Sequence, residues 1–121
     1  GLEAICLRIL SCANVTNARA VGSWLSYGDL IHLVERSVTT PVAGFSVIYG
    51  VSNNDRSPVD NSKATFIGYR PRDNGEQFAE EIFASCPAGD PSDLDQMLHG
   101  GPFATTDLGE SGVAKLGLKE N

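Results

Sequence analysis

The chain has 121 residues with 13 Gly and 6 Pro, is 41% hydrophobic and 20% charged, and sets 9 Lys plus Arg against 15 Asp plus Glu for a net charge of −6. That composition fits one folded domain, is too short for a full dinucleotide-and-substrate enzyme, and contains no run near the roughly 18 apolar residues of a membrane span. The basic residues are scattered from Arg8 to Lys119, which excludes the clustered cationic surface that nucleic acid requires, and a cytoplasmic protein without membrane partners is expected.

Glu3 to Leu10 is almost continuously apolar and reads as a strand of a parallel sheet buried on both faces, with Cys6 a small buried hydrophobe. Ser11 to Ser23, rich in Ala, Asn, Thr and Gly without periodicity, reads as a loop leaving the strand's carboxyl end. Open α/β sheets bind ligands there. Ser26-Tyr27-Gly28-Asp29 has the capping-box form, so a helix starts at this point. Leu30, Leu33, Val34 and Val38, widened by Ile31, give it an apolar stripe, and Pro41 ends it. Phe45 to Val51 is a second buried strand.

Asn53-Asn54-Asp55 signals a turn, and a short helical patch from Ala64 to Ile67 is closed by Gly68. Asp73 or Asn74 can cap a third helix with Phe78, Ile82 and Phe83 inward and Glu76, Glu80 and Glu81 in water. Past Cys86 the chain turns to Pro87, Gly89, Pro91, Gly100, Gly101 and Pro102. The expected organisation is therefore strands and helices over residues 1–86 and an extended tail over 87–121.

No Gly-x-Gly-x-x-Gly, P-loop or Gly-x-Ser-x-Gly elbow is present, so neither a phosphate cradle nor a hydrolase serine is encoded. Cys6, Cys12 and Cys86 have no Cys-x-x-Cys spacing, and neither His32 nor His99 completes a zinc set, so no metal site is expected. Arg19, flanked by small side chains after the first strand, suits a carboxylate or phosphate, because its fork donates two parallel bonds. Ser11 is the first polar residue at the strand's carboxyl end and can donate to a substrate oxygen or bond the loop backbone. Cys12 borders the same polar loop. Trp24 and Tyr27 can wall a pocket or pack in the core, Asp29 is explained by its cap, and His32 reads as structural.

The order Leu7-Arg8-Ile9-Leu10-Ser11-Cys12, Arg19, Ser23-Trp24-Leu25-Ser26-Tyr27-Gly28-Asp29-Leu30, Val47-Ile48-Tyr49-Gly50-Val51-Ser52, Asp60-Asn61 and Gly68-Tyr69-Arg70-Pro71-Arg72-Asp73 resembles the C-terminal part of uronate dehydrogenases. These are extended short-chain dehydrogenase/reductases of the NAD-dependent epimerase/dehydratase type. Gly100-Gly101-Pro102-Phe103 looks like the family's late Gly-Gly-x-Phe element. The resemblance implies an α/β fold: the C-terminal portion of a Rossmann-type parallel sheet with substrate-binding loops and helices, the cofactor half lying elsewhere. It implies oxidation of a hexuronic acid at C1 to the aldarolactone with NAD as hydride acceptor. It gives Ser11 and Arg19 to the substrate and sets the main chain of Ile9 and Leu10 beside the nicotinamide.

The sequence departs from the family at Leu10, where Gly is usual, at Ala13-Asn14-Val15-Thr16, where prolines are usual, and at Ser57-Pro58-Val59, where an aromatic pair is usual. Tyr27, Tyr49 and Tyr69 are followed four residues later by Ile31, Asn53 and Asp73, so the family's Tyr-x-x-x-Lys pair is not in this chain and no catalytic residue is assigned. The expectation is a fragment or truncated frame that binds uronate, is inactive alone, needs an N-terminal cofactor-binding half and leaves room for a homo-oligomer. The alternatives are a sugar-nucleotide epimerase or dehydratase fragment and a non-catalytic small α/β binding domain.

Overall fold

Strands β1 (Ala4–Ile9) and β2 (Phe45–Gly50) run parallel, in register from Ala4 opposite Phe45 to Ile9 opposite Gly50. Parallel neighbours need a crossover, and it is supplied by α1 (Ala18–Ser23) and α2 (Tyr27–Thr39). The result is a βαβ unit of the kind from which Rossmann-type sheets are built. The computed structural model describes residues 1–86 and 91–111.

The start of α2 is the one the sequence signals: the Ser26 hydroxyl accepts the Asp29 amide at 3.0 Å, and Thr40 caps the other end just before Pro41. Its inward face differs from the expected stripe. Asp29 and Leu33 are buried, whereas Ile31 and Val38 are 68% and 79% exposed. The hydrogen bonds of the cap set the helix's rotation: they draw Ser26 and Asp29 inward and turn the stripe partly to solvent. Tyr27 shares that exposed side.

Among the described residues, only one face of the sheet is covered. Ile5 and Leu7 from β1 join Ile48 from β2 in a cluster with Leu33, Ala64, Ile67 and Tyr69. On the opposite face Cys6 is exposed, and Phe45 and Val47 are 76% and 47% exposed. The expectations of strands buried on both faces and of a buried Cys6 are thus corrected. The apolar runs fit a sheet layered on two sides, but no described element lies on the second.

The segment expected as a loop after β1 is also corrected, since its second half is α1. Asn17 caps it by accepting the Ala20 amide at 2.9 Å, and Val21 packs with Ala79 and Ile82 of α3 (Ala79–Ser85). Tertiary packing and a good cap stabilise a helix too short to show apolar periodicity. Ser62–Ile67 forms a 3-10 helix ending at Gly68, and Asn74 caps a 3-10 turn at Gly75–Phe78 that leads into α3. Within the expected extended tail, α4 (Leu94–Met97) and a 3-10 turn at Gly101–Thr105 are ordered by local bonds. Asp93 accepts the Asp95 amide at 3.0 Å, and the Thr106 hydroxyl donates to the Pro102 carbonyl at 2.8 Å. Residues 87–90 and 112–121 of that tail lie outside the described residues.

Candidate functional site

The parallel ladder ends where the Leu10 amide donates to the Gly50 carbonyl at 3.2 Å. Beyond it, the Ser11 carbonyl accepts the Leu25 amide at 2.7 Å, and the Trp24 carbonyl accepts the Ser52 amide at 2.9 Å. Trp24 and Leu25 thereby bridge the two strand ends and hold Ser11 in place. The Asn54 side chain adds bonds to the Gly22 and Trp24 carbonyls at 2.9 and 2.8 Å.

A cavity of about 370 Å³ opens at this carboxyl end and is lined by Leu10, Ser11 and Arg19, with Asp95, Gln96 and Phe103 opposite them in sequence. Open α/β sheets bind ligands in this position. Arg19 is half-buried on the first turn of α1, not in a loop, and the Asn17 cap fixes that turn. Its Nη1 donates to the His99 carbonyl at 3.2 Å, and no carboxylate of the described residues forms an ion pair with it. Burial lowers its pKa from the ordinary value, but a guanidinium remains charged at neutral pH. A half-desolvated cation with open donors can hold an anion strongly, because the competing water is partly removed.

Ser11 and Arg19 therefore lie on one cavity, as does Leu10, while Ile9 is partly exposed at the end of β1. Cys12 lines this cavity and a neighbouring one of about 410 Å³, which Trp24, Tyr27 and Phe78 also wall. The Trp24 and Phe78 rings meet edge to face at 5.0 Å. Asp29 does more than cap: its buried carboxylate accepts the Ser52 hydroxyl and the Arg72 and Asp73 amides. His32 Nε2 accepts the Arg70 amide at 3.2 Å. Tyr69 donates its hydroxyl to the Val51 carbonyl at 2.8 Å, and burial, reinforced by the Asp29 charge, raises its pKa. Among the described residues no group of His, Cys, Asp and Glu could hold a metal ion, and no helix is long and apolar enough to cross a membrane.

Sequence reasoning did not find Asp95 and Gln96 as cavity residues. Nothing local marks them: Asp93-Leu94-Asp95 reads only as a helix cap, and their placement depends on α4 docking near α1. Phe103 and the paired glycines were visible as a motif but not as a wall.

The fold and the cleft define an α/β chain of Rossmann type with an arginine-bearing site at the carboxyl end of its sheet. The chain matches no protein-family profile. It is 38% identical over 104 residues to uronate dehydrogenase of Agrobacterium fabrum, covering 85% of this chain and 39% of that one. To uronate dehydrogenase of Pseudomonas putida it is 39% identical over 106 residues, covering 86% and 39%. The crystal structure of an Agrobacterium tumefaciens uronate dehydrogenase variant complexed with NAD superposes with a TM-score of 0.80 at 34% identity, covering 90% of this chain and 42% of the other. The chain is a relative of the uronate dehydrogenases, and it spans about two fifths of the length of those it matches.

Proposed function

We propose that this chain forms the substrate-binding part of an NAD-dependent uronate dehydrogenase of the extended short-chain dehydrogenase/reductase superfamily, acting in the cytoplasm on a hexuronic acid. The observation that carries this reading is the placement of Ser11 and Arg19 on one cavity at the end of β1. Arg19 holds the sugar carboxylate through its fork, and the Ser11 hydroxyl bonds a sugar oxygen. Residues 1–86 supply the sheet, helices and both of these groups, and the segment beyond them adds the facing wall.

Oxidation at C1 to the aldarolactone removes a hydride from carbon and a proton from the hydroxyl. NAD, when bound, accepts the hydride. Leu10 lies on the cavity, while Ile9, which precedes it at the end of β1, is partly exposed and is not among the lining residues, so Leu10 fits best as one side of a nicotinamide site. The same residues do not seat a pyrophosphate, for the sequence has no glycine-rich turn, nor does it have a tyrosine paired with a lysine four residues on. The proton acceptor and phosphate seat therefore come from other sequence, and the 121 residues alone bind uronate without oxidising it.

Titration of the chain with galacturonate, followed by NMR, tests this. The Arg19 and Ser11 signals are expected to shift, galactose is expected to bind more weakly for want of a carboxylate, and Arg19→Ala is expected to lower galacturonate affinity about tenfold or more. Unchanged affinity in Arg19→Ala would refute the carboxylate site. NADH formation from galacturonate by the chain alone would refute its inactivity.

A further inference from the structure

The guanidinium of Arg19 lies against the backbone of a residue far along the chain. A Cβ built on Gly101 would stand 2.9 Å from Arg19 Nη2, 3.1 Å from Cζ and 3.3 Å from Nε. Because Cζ is closer than Nε, that point lies above the guanidinium plane and not beside its edge. Meanwhile Nη1 is occupied by the His99 carbonyl at 3.2 Å, across 80 positions of sequence. One face and one nitrogen of Arg19 are thus committed to the 99–101 segment, which leaves the Nε and Nη2 edge, the one that pairs with a carboxylate in two parallel bonds.

Gly101 suits this contact for two reasons. It is buried at φ 54°, in the left-handed region that most side chains avoid, and any side chain would collide with the guanidinium. Its own placement is fixed by its amide, which donates to the Leu98 carbonyl at 2.9 Å, and by the Thr105 hydroxyl, which donates to the Pro102 carbonyl at 3.2 Å and to the Asp95 carboxylate.

We propose that Gly101, with the His99 carbonyl, is a positioning residue for carboxylate recognition: it is the platform that fixes the plane of Arg19 and presents the Nε and Nη2 edge to an anionic ligand. This rests on the reading of Arg19 as the carboxylate-holding residue. A long arginine side chain otherwise loses considerable rotamer entropy on binding, and a prepared platform removes part of that cost.

The decisive comparison is Gly101→Asn against Gly44→Asn in the full 121-residue chain. Asn tolerates positive φ, so both variants keep the backbone, and Gly44 has φ 56° with open space around its missing side chain. Two readouts are taken: the 15N relaxation of the Arg19 Nε–H, and titrations with galacturonate and with galactose. In the parent chain and in Gly44→Asn, the Arg19 Nε–H is expected to be ordered and galacturonate affinity equal. In Gly101→Asn the Nε–H becomes mobile and galacturonate affinity falls about tenfold, while the galactose response is unchanged. If Gly101→Asn does not fold, Gly101→Ala is judged by the same readouts. An ordered Nε–H with galacturonate affinity within about twofold of the parent would overturn the proposal. The two readings fail separately. If Arg19→Ala leaves galacturonate affinity unchanged, the carboxylate site itself is wrong; if Arg19→Ala weakens binding and Gly101→Asn does not, only the platform is wrong.

Discussion

The carboxylate of Asp29 accepts the hydroxyl of Ser52 at 2.6 Å, tying the first turn of α2 to the chain just past the end of β2. Asp29 is 4% exposed and also accepts the Arg72 and Asp73 amides at 2.9 and 3.1 Å. One buried anion thereby joins three segments with donors on all sides, the condition under which a buried charge is tolerated.

Replacing it tests that role. In Asp29→Asn the amide group turns a donor either toward the Arg72 amide, which bonds Oδ1, or toward the Ser52 hydroxyl and the Asp73 amide, which share Oδ2, so at least one backbone donor loses its acceptor. A loss of about 2–3 kcal/mol is expected. Urea unfolding should show a lower midpoint at unchanged slope, while an unshifted midpoint would mean that the network contributes nothing.

Tyr69 offers a second test. Its hydroxyl satisfies the buried Val51 carbonyl, so Tyr69→Phe leaves that acceptor without its partner, at about 1–2 kcal/mol by chemical unfolding. Its raised pKa also fixes a pH dependence. Above the unfolded value of about 10 the unfolded tyrosine loses its proton while the folded one keeps it, so stability falls as pH rises past that point. In Tyr69→Phe that part of the alkaline decline should be missing.

At the acid end, the Arg56 guanidinium donates to both oxygens of Glu76 at 2.8 and 2.9 Å and holds its carboxyl below the usual range. The stabilisation is present above the unfolded glutamate value of about 4.3 and is lost as pH falls through the lower folded value. Arg56→Met, which keeps an apolar stem near Phe83, should return the Glu76 titration seen by NMR toward the ordinary value. The neutral-pH stability change should be small, because the pair is exposed and solvent screens it.

The open sheet face gives a different prediction. Phe45 and Val47 stand on the face that no described element covers, beside Cys6. Phe45→Ser combined with Val47→Thr should leave the melting temperature within the range of surface substitutions while reducing concentration-dependent association measured by light scattering. A large loss of stability would show instead that this face is packed in solution.

Much of this was legible locally. The two strands announce themselves as apolar runs, and Ser26 with Asp29 marks the start of α2, because such signals are carried by residues within a turn of one another. α1 was missed since its stabilising contacts, Val21 against Ala79 and Ile82, come from a segment some sixty positions on. The rotation of α2 was misread because periodicity records where apolar residues are, whereas the cap network decides which of them meet the sheet.

The sequence by itself determined the α/β class, the parallel order of the two strands, the relation to uronate dehydrogenases and the candidacy of Ser11 and Arg19. Tertiary structure alone decided that Arg19 rides on a helix, that Gly101 and the His99 carbonyl back it, and that Asp95 and Gln96 face the same cavity. The division follows from distance along the chain: capping and hydrophobic patterning act over a few residues, while the cleft forms only when α1 and the 94–105 segment, far apart in sequence, are brought together by packing.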